Sequence, residues 1–262
     1  LAYWSIGNAF FTYDLAAGKA SDEDLAAKKK AEAAEKAAAA KKKKEEGGEE
    51  EEDKKEEKKD EEKKEEDKPY EAAEMRIKVE VPRDMPKGTV LLRNARVITM
   101  KGDEIFEQGD ILIENNRIKQ VGAAGSITVG TDVKTMDMSG KTIVPGFVDT
   151  HAHMWPAWGL HKNQIWIYAA NLAYGVTTTR DPQTATTDVL TYADMVDAGM
   201  MYGPRVYSTG PGVGFWAYNI KSLEQAREVL KQYSEYYHTK TIKMYLTGNR
   251  QHRQWIIMAA KE

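Results

Sequence analysis

The chain has 262 residues, with 38 Lys and Arg set against 41 Asp and Glu. A net charge of −3 gives no electrostatic basis for binding nucleic acid. The absence of cysteine excludes a disulfide scaffold, a thiolate zinc site and a cysteine nucleophile, and no apolar run approaches the roughly 18 residues of a membrane span.

Residues 1–15, LAYWSIGNAFFTYDL, are rich in aromatic and β-favouring side chains around Gly7-Asn8. Two short strands about a turn are expected, as the end of an upstream β-domain. Residues 16–74 form a low-complexity zone. Its first half, built from Ala, Lys and Glu, favours helix but has almost no large apolar side chain to bury. Residues 28–68 hold 15 Lys and 17 Asp or Glu. A disordered, solvated linker is expected, with transient helix supported by i,i+4 charge pairs. Residues 75–145 carry short alternating segments, among them MRIKVEVP, TVLLRNARVITM and ILIENNRIKQVG, separated by Gly, Asn and Asp turns. They predict a small β-domain.

Residues 146–262 change rhythm. FVDTHAH, GVTTTRD, PRVYSTG and TIKMYLTG are each followed by a helical pattern, the first over about 163–173 and the second over about 187–198. Four βα units imply a parallel sheet. At about 29 residues per unit, eight units would need about 235 residues, close to a (β/α)8 barrel. The zone reads as the first half of such a barrel. The chain shows no signal-peptide pattern, and its end falls inside a helical pattern, so it reads as a fragment.

On the first of these strands, the period of two puts Asp149, His151 and His153 on one face. Two imidazoles at i and i+2 chelate a divalent ion well, and barrel active sites gather at strand C-termini. On the fourth strand, Thr241, Lys243 and Tyr245 share a face, opposite Ile242, Met244 and Leu246. An inward lysine is costly while charged. As a neutral amine it can add carbon dioxide to give a carbamate, an anionic bridge between two metals about 3.5–4 Å apart. A lysine snorkelling to solvent or paired with Asp149 is the alternative. Arg180 could clamp a substrate carboxylate, or pair structurally with Asp181. Tyr245 could line the pocket. The STGPGVG loop, residues 208–214, could approach the site closely. Trp155, Trp158 and Trp216 suggest an aromatic wall.

The run LRNARVITM, GDILIENNRIKQVG and GKTIVPGFVDTHAHMW resembles the entry into the amidohydrolase superfamily. The likeness covers residues 76–262 and is nearest the imidazolonepropionase and prolidase-like branch. It implies a β-sandwich beside a metal-dependent (β/α)8 hydrolase. It implies metal ligation by His151 and His153, and a carboxylated Lys243 bridging two divalent metals, Zn or else Fe or Mn. Asp149 would orient an imidazole or Lys243 from behind. The remaining ligands, a strand-five His, a strand-six His and a strand-eight Asp serving as acid and base, are expected beyond residue 262. His161, His238 and His252 fit none of these places. Residues 1–15 resemble the last strands of a TolB-like β-propeller, which would favour a periplasmic or secreted location.

The implied activity is hydrolysis of C–N bonds in amides, cyclic amides or dipeptides by metal-bound hydroxide. A non-catalytic scaffold and a deaminase on the same barrel are the competing readings. The implied partners are a small amide or peptide-like substrate and, in a homo-oligomer, further copies of the chain. A half barrel has open sheet edges, so the fragment alone is expected to be poorly soluble and inactive.

Overall fold

In the computed structural model, which describes residues 1–45, 69–154, 162–214 and 218–262, the N-terminal hairpin forms as its pattern predicts. Strands β1 (Ala2–Ile6) and β2 (Ala9–Tyr13) pair antiparallel about Gly7, whose φ is 55°. Their stability comes from cross-strand aromatics: Trp4 stacks on Phe11 at 5.3 Å and Tyr3 on Phe10 at 6.1 Å. A third strand, β3 (Ala73–Arg76), adds to β2. The segment MRIKVEVP therefore does not open the small β-domain. Its first residues, Met75 and Arg76, pair with Phe10 and Ala9. The contacts divide the chain into units Leu1–Val79 and Glu80–Glu262.

The low-complexity zone also differs from the expected disorder over its first part. Helix α1 spans Leu15–Glu45. Asp14 caps it, Oδ1 accepting from the Ala16 and Ala17 N–H groups at 2.9 and 3.1 Å, which holds the Asp14 carboxyl below the usual range. The helix is almost entirely exposed where its side chains are described. Local propensity of Ala, Lys and Glu, with the cap, explains it without a packed face. The Glu/Lys blocks of residues 46–68 lie outside the described residues. The zone is not a connection between domains, because β2 and β3, which flank it, are neighbours in one sheet.

In the second unit, β4 (Thr89–Ile98), β5 (Ile105–Glu114) and β6 (Arg117–Ala123) run antiparallel in order. Asn115 and Asn116 both take positive φ, 49° and 62°, as a two-residue hairpin turn requires. Strands β7 (Lys134–Asp137) and β8 (Thr142–Ile143) add parallel to β4. The expected sandwich is thus observed as one five-stranded sheet. Ala95, Val97 and Ile111 form its buried centre.

The βα alternation follows. Strands β9 (Phe147–Asp149), β10 (Val176–Asp181) and β11 (Arg205–Ser208) make a parallel sheet with β10 central. Helices α2 (Trp166–Ala173) and α3 (Asp188–Asp197) connect them. Tyr168, Val189, Tyr192, Met154 and Val206 are packed together beneath these helices. The fourth strand is shorter than its pattern predicts. Only β13 (Met244–Tyr245) is regular, and it pairs with β12 (Val213–Gly214) rather than with β11. Two local features explain this. The Thr241 carbonyl accepts from Thr239 Oγ1 at 2.9 Å, and Leu246 takes φ 48°, which ends the extended run. Helices α4 (Leu223–Glu235) and α5 (Arg250–Lys261) bury Val229, Tyr233 and Ile256 with Val213. Both are capped at their N-termini, by the side chains of Ser222 and Asn249. Among the described residues, no helix is long and apolar enough to cross a membrane.

Candidate active site

Strand β9 ends at Asp149, yet the chain beyond it stays attached to β10. Ala152 N–H donates to the Arg180 carbonyl at 2.9 Å. Asp149 Oδ1 accepts from His151 N–H at 3.0 Å, so Asp149 bonds the backbone of that residue. These bonds place the His151 and His153 rings side by side. Their centroids are 5.2 Å apart and their planes nearly perpendicular at 80°. The two imidazoles meet at the C-terminal end of a parallel strand, where the alternation placed them.

The His153 ring has a defined orientation. Its Nδ1 lies 2.9 Å from the Gln183 carbonyl oxygen. A carbonyl can only accept, so in the neutral ring Nδ1 carries the proton and Nε2 the coordinating lone pair. Behind this bond lies Asp181, fully buried at the end of β10. Its Oδ1 accepts from Gln183 N–H at 3.1 Å and lies 3.9 Å from His153 Nδ1. Among the described residues, its Oδ2 has no hydrogen-bond partner, and neither does the buried Tyr168 hydroxyl. Burial pushes the Asp181 carboxyl up to about 6, with the Gln183 N–H and His153 pulling it down. In the sequence, Asp181 stands out only as a neighbour of Arg180. The period of two could have separated them, because adjacent strand residues face opposite ways.

Arg180 turns away from Asp181. It donates to the Tyr207 carbonyl at 3.4 Å and to Thr241 Oγ1. The expected Arg180–Asp181 pairing is therefore replaced by a link from β10 toward the fourth strand. Thr241 shares the alternating face of Lys243 and Tyr245. The Lys243 Nζ lies 6.0 Å from the centre of the Tyr245 ring, and Lys243 is half-buried. Gly212, Val213 and Gly214 border this strand, with Val213 N–H donating to the Lys243 carbonyl at 2.8 Å. Trp155, Trp158, His161 and Trp216 lie outside the described residues.

The donor chemistry fits a divalent ion at the histidine pair, because two adjacent imidazoles, one with Nδ1 already engaged by a carbonyl, are suitable ligands. Among the described residues, no three His, Asp or Glu gather as a complete metal-binding group.

No family model matches the chain. A dihydroorotase of Listeria monocytogenes serotype 4a is 33% identical over 75 residues, 29% of this chain and 16% of the enzyme. A 5-methylthioadenosine/S-adenosylhomocysteine deaminase of Desulforamulus reducens is 38% identical over 66 residues, 24% of this chain and 15% of that one. A prolidase solved with N-methylphosphonate-L-proline has a TM-score of 0.53 at 18% identity, covering 66% of this chain and 53% of its own. The last shows likeness of fold. The chain spans about half of that solved relative, and the matches take in about one sixth of the curated ones. Strand-end histidines, a mixed α/β fold and these likenesses converge on one class of protein. The chain is similar to enzymes of the amidohydrolase superfamily.

Proposed function

We propose that the chain contributes the first strand-end donors of a metal-dependent hydrolase of C–N bonds in amides, cyclic amides or dipeptides. The observation carrying this reading is the His151–His153 pair, with the His153 Nδ1–H held by the Gln183 carbonyl. The likeness to a dihydroorotase and, in fold, to a prolidase supports it.

In this reading His151 and His153 hold a divalent ion, Zn or else Fe or Mn. Lys243, if carboxylated, would supply a further anionic oxygen ligand. Such an ion supplies Lewis acidity and activates water near neutral pH. Asp149 fixes the backbone that presents His151. Tyr245 lies against Lys243 and lines the substrate side. Arg180 holds the strand carrying Thr241 in place; a carboxylate clamp would need it to release Thr241. The substrate is a small amide or peptide-like molecule.

The test is metal content after purification with added Zn2+, for wild type and for His151→Ala, His153→Ala and Lys243→Met. Each variant is expected to lose most of the bound metal. Unchanged content in the histidine variants would sink the assignment. The likeness to a deaminase favours a second reading on the same residues, deamination of an amino-purine. Assay of Xaa-Pro dipeptides, cyclic amides and amino-purines separates the two, since only the last would release ammonia without opening an amide.

A further inference from the structure

We propose that Asp181 is a positioning residue for His153: its buried carboxylate fixes the turn whose carbonyl orients the imidazole. This inference rests on the reading of His153 as a metal donor.

Three contacts form a chain. Gln183 N–H donates to Asp181 Oδ1 at 3.1 Å, which fixes the turn through Pro182 and sets the direction of the Gln183 carbonyl. That carbonyl receives His153 Nδ1–H at 2.9 Å. The carboxylate itself approaches Nδ1 at 3.9 Å. The main chain anchors both ends. Thr209 N–H donates to the Asp181 carbonyl at 3.0 Å, and Ala152 N–H to the Arg180 carbonyl at 2.9 Å. The loop bearing His153 and the turn bearing Gln183 are thus both registered on the end of β10.

A turn alone does not require a carboxylate. Asparagine closes the same turn through its amide oxygen and would bury no charge. The aspartate is fully buried, and among the described residues Oδ2 has no hydrogen-bond partner. Burying a carboxylate is costly even with the Gln183 N–H and the nearby His153 ring to favour its charge, and a neutral amide would avoid that cost. A negative group behind the Nδ1–H strengthens the ring as a donor through Nε2, the arrangement by which carboxylates support metal-bound histidines from behind. The aspartate is therefore suited to a cation on the far side of the imidazole, where an asparagine would be suited only to the turn.

The experiment uses the full chain, with 15N-labelled histidine, as wild type, Asp181→Ala and Asp181→Asn. The first readout is the His153 tautomer by 15N NMR in metal-free protein. The second is Zn2+ affinity, by competition with a chromophoric chelator. We expect an Nδ1–H tautomer in wild type and its partial loss in Asp181→Ala, with affinity falling about 10–100-fold. Asp181→Asn should keep the tautomer and show a smaller loss of affinity. This variant keeps the question open to test even if Asp181→Ala fails to fold. An unchanged tautomer together with affinities within about twofold of wild type would overturn the proposal. If wild type binds no Zn2+, the metal reading fails by itself. The tautomer then decides the positioning role: a shift in Asp181→Ala upholds it, and no shift overturns it.

Discussion

Arg180 Nη2 donates to Thr241 Oγ1 across 61 residues of sequence. The bond joins the parallel sheet of β9, β10 and β11 to the segment that runs through Lys243 into β13. A second bond from the same guanidinium, to the Tyr207 carbonyl, stiffens the link. Arg180→Met should cost about 0.5–1.5 kcal/mol in urea unfolding. Arg180→Lys should recover less than half of that, because a single ammonium cannot reproduce the fork. No loss in either variant would show the link to be energetically idle.

Gly214 supports the same strand from the other side. Its φ is 131°, and a Cβ there would lie 2.5 Å from the Tyr245 carbonyl and 2.9 Å from Thr247 Cα. Those are backbone atoms and cannot swing aside. Gly214→Ala should destabilise by about 1–3 kcal/mol or more and break the pairing of β12 with β13. Wild-type stability with unchanged Lys243 environment would refute the argument.

The Asp181 carboxyl makes a pH prediction. Burial raises it from 3.8 to about 6 in the folded state. A folded value above the unfolded one means the native state binds the proton more tightly, so stability grows as pH falls through 6 and the gain is complete below 3.8. At pH 7 the ionised carboxylate costs on the order of 3 kcal/mol. Asp181→Asn should therefore be more stable than metal-free wild type at pH 7, and the difference should vanish near pH 4. Urea melts of both proteins across that range measure it. A variant that gains stability while losing Zn2+ affinity would separate the two roles of the residue.

Tyr168 provides a control inside the core. The ring is fully buried and, among the described residues, its hydroxyl has no hydrogen-bond partner. Tyr168→Phe should change stability by less than about 1 kcal/mol, toward stabilisation. Tyr168→Ala should cost about 3–5 kcal/mol, because the cavity cannot collapse under α2 and α3. Chemical denaturation of the pair separates packing from polarity.

Much of this architecture is legible from residue order. Gly7-Asn8 marks the first turn, Asn115-Asn116 marks the hairpin, and the four helices of the C-terminal zone fall within a few residues of their patterns. Alternation puts His151 and His153 on one face, and beyond the end of β9 the Ala152–Arg180 and His151–Asp149 bonds bring their rings to 5.2 Å. Three features do not follow. The β2–β3 pairing joins residues separated by the whole low-complexity zone, and no local pattern encodes such a contact. The fourth strand is cut short by the Thr239 side chain and by the backbone of Leu246, which alternation does not sense. Asp181 looked like a salt-bridge partner because Arg180 precedes it. Its role depends on Gln183 and His153, which meet only when β9 and β10 lie side by side.

That β2–β3 pairing changes what the charged helix can do. Tyr13, just before the zone, and Tyr70, near its end, touch edge to face at 5.1 Å. The chain therefore leaves the sheet and returns to the same spot, as a side branch does. Closing a segment as long as residues 14–72 instead of a four-residue turn costs only about 2 kcal/mol, because the cost grows with the logarithm of length. The branch can lengthen, shorten or change its charge pattern without pulling on either strand. Its composition is free to drift while the aromatic sheet at its root stays constrained.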